Sequence, residues 1–121
     1  MDKGLELYKK FIDDLVEERE CVYAYRFREK VTMPENTEEL KAENHLVEKL
    51  NAEDRMTVSR LLQKARNSGI HDVLRYLNDE ILLNNMKISV GGVELPVEPF
   101  GSTMYWDWVA RIQGNVWPDE K

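Results

Sequence analysis

Residues 70–86 read IHDVLRYLNDEILLNNM, and this stretch decides the fold. Ile70, Val73, Leu74, Leu77, Ile81 and Leu82 recur at three- and four-residue spacing, which lays one apolar stripe along a helix. Asp72, Arg75, Asp79 and Glu80 fall on the opposite side and suit water. A stripe this continuous must be covered by other elements, so the spacing predicts a central helix in a mainly helical core.

Downstream of it lies KISV-GG-VELP, two alternating runs joined by Gly91-Gly92. This is the pattern of a two-residue β-hairpin over about residues 87–97. A two-residue loop pairs Val90 with Val93, Ser89 with Glu94 and Ile88 with Leu95, which sorts the apolar side chains onto one face. An isolated hairpin is barely stable, so that face must lie on helices.

Upstream, Leu5, Tyr8, Ile12, Leu15, Arg19 and Val22 keep a helical period from residue 3 to about residue 29. Lys9–Asp13 and Lys10–Asp14 stand at i,i+4 on its surface. Residues 20–28 contain CVYAYRF, readable as a helix buried on several sides or as a short strand; the helical reading is preferred. Pro34 interrupts, and Thr37 then caps a second helix to about Leu50, with Glu38 and Glu39 in its first turn. Leu40, Leu46, Val47 and Leu50 are its expected inward residues. Asn51 caps a third helix with Met56, Val58, Leu61, Leu62 and Ala65 inside, and Asn67-Ser68-Gly69 reads as its stop. After Pro96, Pro99 and Gly101, Ser102 or Thr103 caps a last helix, MYWDWVARIQ, closed by Gly114. The tail is expected to be extended, with Trp117 folding back. The expected fold is therefore mainly α with α+β character: a compact bundle of four to five helices with one hairpin packed on it, as a single domain over 1–121.

At 121 residues the chain suits one domain, and 42% hydrophobic with 33% charged residues suits a globular core. The single cysteine, Cys21, forbids an intrachain disulfide and fits a reducing cytoplasm. The N-terminus MDKGLELYKK lacks the unbroken apolar run of a secretory signal, and no run approaches the length of a membrane span. A net charge of −6 disfavours nucleic acid and anionic membrane as partners. The charge is uneven. Acids dominate from Glu35 to Asp54, and Arg55, Arg60, Lys64, Arg66 and Arg75 dominate after it. Two neighbouring helices that complement each other account for this; the sharper reading is an acidic segment that docks a basic partner.

No catalytic set stands out. Cys21 lies among apolar neighbours, as a small buried hydrophobe does. The serines carry no G-x-S-x-G elbow. Adjacent carboxylates on a helix point about 100° apart and do not converge. His45 and Glu48 are one turn apart, but a zinc site needs three or four ligands. Residues 61–77 resemble helix, turn, helix, yet the second helix offers only Arg75 to bases, beside His71, Asp72 and Asp79. The C-terminal aromatics are harder to absorb into a core. Trp106 and Trp108 sit about 200° apart on one short helix, so one face cannot bury both. Tyr105, Trp106, Trp108, Arg111, Trp117 and His71 are therefore the candidate binding residues, because exposed Trp, Tyr and Arg are where interface energy concentrates.

The function expected is that of a soluble cytoplasmic, non-enzymatic protein working by protein–protein interaction, with a partner or with itself in a homodimer. The alternative is a small-molecule-binding protein or enzyme with a pocket near the aromatic C-terminal segment. A helix-turn-helix DNA binder ranks third. No catalytic residue, metal ligand or cofactor is expected.

Overall fold

A computed structural model describes residues 2–121. The chain is mostly helical, with one antiparallel hairpin packed against helices. The helices are α1 (Lys3–Glu18), α2 (Val22–Glu29), α3 (Glu38–Lys49), α4 (Ala52–Leu83) and α5 (Met104–Ile112). The strands are β1 (Ser89–Val90) and β2 (Val93–Glu94), and a single 3-10 turn spans Pro118–Glu120. The described residues form two compact units: residues 20–68 make one, and residues 2–19 with 69–121 make the other.

The second of these, the terminal unit, has its core in Tyr8, Ile12, Leu74, Met104, Trp108 and Trp117. From the central stripe Leu74 is buried, and Ile70, Leu77 and Ile81 pack against that core. Val73 and Leu82 do not follow: they are 58% and 53% exposed. The hairpin has the expected register, Ser89 opposite Glu94 and Val90 opposite Val93, with Leu95 N–H donating to Ile88 O at 2.8 Å. Gly91 and Gly92 both take positive φ, 55° and 82°, as a type I′ turn requires. The hairpin lies on α1, where Gly4 allows the approach: a Cβ there would sit 3.1 Å from Glu94 O. Thr103 caps α5 by accepting from Trp106 N–H. Trp117 folds back into the core, as expected.

The other unit, residues 20–68, buries Ala24, Phe27 and Val47. Its polar centre is Asn44, which accepts from Met33 N–H at 2.9 Å and donates to Met33 O at 2.7 Å. Asn44 Oδ1 also accepts from Arg26 Nη2 at 3.2 Å, and Arg26 Nη1 donates to Glu43 at 2.6 Å. Thr37 and Asn51 cap α3 and α4 as their sequence positions predict. Leu46, Met56 and Leu61, expected inside, are exposed.

Two boundaries differ from expectation. The helix expected over residues 3–29 breaks at Arg19–Cys21, where Cys21 is extended at φ −103°. The stripe before the break feeds Tyr8 and Ile12 into the core of the terminal unit, while Ala24 and Phe27 after it belong to the unit of residues 20–68. Residues 22–29 are helical rather than a strand. The stop at Asn67-Ser68-Gly69 does not form, and α4 runs through it. A helical glycine costs only about 1 kcal/mol against alanine, which a long helix absorbs. Asn67 accepts from Gln63 Nε2 at 2.8 Å along the helix instead of closing a turn. The two helices and turn expected over 61–77 are therefore one continuous helix, and the third-ranked helix-turn-helix reading loses its turn.

Candidate functional site

The six candidate residues fall into four groups. Trp108 and Trp117 are core, 2% and 4% exposed. The Trp117 ring lies 6.3 Å from that of Tyr8 and 5.5 Å from that of Phe100. Trp106, on the far side of the same helix as Trp108, is 66% exposed. The angular separation along α5 thus sorts the two indoles, one into the core and one onto the surface. His71 and Tyr105 make an edge-on ring contact at 4.9 Å, and His71 Nδ1 is 3.5 Å from the Asp72 carboxylate.

Arg111 is a clamp. Its Nε and Nη2 donate to the two oxygens of Asp13 at 2.8 and 3.2 Å, and its Nη1 donates to Asn115 O at 2.8 Å. The guanidinium also lies 4.9 Å from the Trp117 ring. It therefore ties α1, α5 and the tail together, with bidentate geometry that favours Arg over Lys. Asp13 was expected to face Lys9; instead Lys9 bonds Asp119 at 2.9 Å, and hydrogen bonding to that carboxylate raises its pKa.

Trp106, Ala110, Arg111 and Asn115 line a groove of about 370 Å³ with Trp117 as one wall. A second, smaller groove of about 160 Å³ also uses Trp106, with Val109 and Gln113. The two grooves share Trp106, Ala110 and Asn115, so the exposed Trp106 indole forms part of the wall of both. His71 and Tyr105 line neither.

Ser102 and Asp107, which also line the larger groove, belong to a polar cluster with Tyr8 that the sequence reading missed. Asp107, buried in the first turn of α5, accepts from Ser102 Oγ at one oxygen and from Tyr8 Oη at the other, both at 2.5 Å. Burial, together with Asp107, pushes the Tyr8 hydroxyl well above its ordinary pKa. Ser102 and Asp107 lack the histidine that would complete a nucleophile–base pair there. A carboxylate between two tryptophans, at a position where α5 turns inward, was the available signal. Among the described residues no group of three or more His, Cys, Asp or Glu is placed to hold a metal. Among the same residues no helix is long and apolar enough to cross a membrane.

Residues 1–119 match a family described as a family of unknown function, DUF6547. The chain belongs to that family. No curated protein and no solved structure matches it.

Proposed function

We propose that the protein acts by protein–protein contact through the Trp106 face of α5, as a non-enzymatic cytoplasmic protein. One observation carries this reading: a large indole is held in water by a helix whose opposite side is locked into the core by Trp108. Anchor residues of interfaces are typically Trp, Tyr or Arg, and Trp106 borders two grooves in which a partner's side chains could seat. The partner is another protein or a second copy of this chain. A photo-crosslinking amino acid at position 106, introduced in cells, tests it. The expected product is one discrete crosslinked species, a homodimer or a single partner, whose yield falls when Val109 and Ala110 are replaced by Lys. A diffuse ladder insensitive to those changes overturns the reading.

A small-molecule site in the larger groove is the second reading. Its volume falls at the low end of the range of ligand pockets. Native mass spectrometry of protein purified from its own cells distinguishes it, through a bound mass that Trp106→Ala removes.

A further inference from the structure

The unit of residues 20–68 carries a groove of about 630 Å³, larger than either one at Trp106. Buried Arg26 contributes to its lining, and its charge is met by Glu43 at 2.6 Å. A paired buried charge leaves that part of the groove without net attraction for an anion. Val22, Met33 and Leu40 supply apolar wall, and Val22 and Tyr23 at the start of α2 are 70% and 60% exposed. Large apolar side chains are thus left to water around a concavity.

Glu20 and Glu39 also line the groove. Neither carboxylate makes a hydrogen bond or ion pair among the described residues. Arg66 is the remaining cation there, so the carboxylates outnumber it. This charge turns away nucleic acid and anionic lipid. It draws lysine and arginine.

We propose that this groove docks a basic peptide segment of a partner protein. A Leu or Met of the segment fills the space between Val22, Met33 and Leu40, and neighbouring Lys or Arg side chains meet Glu20 and Glu39. The interaction is independent of the Trp106 face, since every groove-lining residue belongs to the unit of residues 20–68.

Cys21 makes the test direct. It is the only cysteine of the chain, and it lines this groove. The full-length protein is applied to an array of short peptides of random sequence. Peptides that bind are then added during iodoacetamide alkylation of Cys21. The expected result is enrichment of Lys or Arg beside Leu or Met, with alkylation slowed several-fold by the bound peptides. The double variant E20Q/E39Q keeps both side chains' size and should weaken binding about fivefold to tenfold, as loss of two rim ion pairs implies. Trp106→Ala should leave binding unchanged, so failure here and failure of the Trp106 reading are distinct. Absence of basic enrichment, binding without protection of Cys21, or equal binding by E20Q/E39Q each overturns the proposal. Equal protection by free spermine also does, because it would make the site one for small cations.

Discussion

Tyr8 and Asp107 stand 99 positions apart in the chain, yet the Tyr8 hydroxyl donates to Asp107 Oδ2 at 2.5 Å. Both residues are buried, and Ser102 occupies the other carboxylate oxygen. The pair joins α1 to α5 by a buried polar contact. A buried carboxylate is tolerated only while its oxygens are satisfied.

Tyr8→Phe keeps the ring and its contacts with Phe100 and Trp117 but strips the donor from Asp107 Oδ2. The expected loss is about 1–3 kcal/mol, the cost of leaving a buried acceptor unpaired. Urea unfolding followed by tryptophan fluorescence measures it. A loss under about 0.5 kcal/mol would mean that Asp107 finds another donor at no cost.

The same pair sets a pH dependence. Burial and Asp107 raise the Tyr8 pKa, so the native state keeps that proton when the unfolded chain, with its ordinary value near 10.0, gives it up. The native state then binds more protons than the unfolded state, and stability falls as pH rises above that value. The stability difference between wild type and Tyr8→Phe should shrink above about pH 10, with a slope approaching 1.4 kcal/mol per pH unit. Groups common to both proteins cancel in that difference. Parallel curves over about pH 9–11 would show that Tyr8 titrates normally.

Trp108→Ala and Trp106→Ala should separate widely. Trp108 is core, and truncation should cost about 3–5 kcal/mol. Trp106 is mostly in water, and truncation should change stability by less than about 0.5 kcal/mol. Thermal unfolding of the two variants side by side decides this. Equal destabilisation would place the Trp106 indole in the core and remove the exposed side chain on which the proposed contact depends.

What could be read from the residues was local. Gly91-Gly92 with alternation on both sides specified the hairpin and its register, since a two-residue turn admits one pairing. Thr37 and Asn51 announced helix starts, and Ser102 or Thr103 a third that Thr103 makes, because each cap offers a side-chain oxygen to an N–H three residues on. The angle between Trp106 and Trp108 posed the question that the fold answers, though it could not say which indole faces inward. Long-range pairings left no periodic trace. Nothing near Asp107 names Tyr8 as its donor, and nothing near Asp13 prefers Arg111 over the adjacent Lys9. The break at Arg19–Cys21 was hidden for a related reason. The apolar period continues across it, although the residues on its two sides pack in different cores.

Gly69 offers the sharpest check on the backbone. In Asn67-Ser68-Gly69 a glycine that ended a helix would take positive φ, where alanine is strained. Gly69 instead lies within α4, without positive φ, and a Cβ there meets nothing within 4 Å. Gly69→Ala should therefore stabilise the protein by about 0.5–1 kcal/mol, through helix propensity and reduced freedom of the unfolded chain. For a chain of this size the melting temperature should rise by roughly 2–5 °C, with helical circular dichroism unchanged or slightly stronger. The substitution adds one methyl group in open space, so packing offers no competing explanation for either sign. A fall in melting temperature would mean that the chain turns at Gly69, and residues 61–77 would then regain the helix-turn-helix reading that a continuous α4 removes.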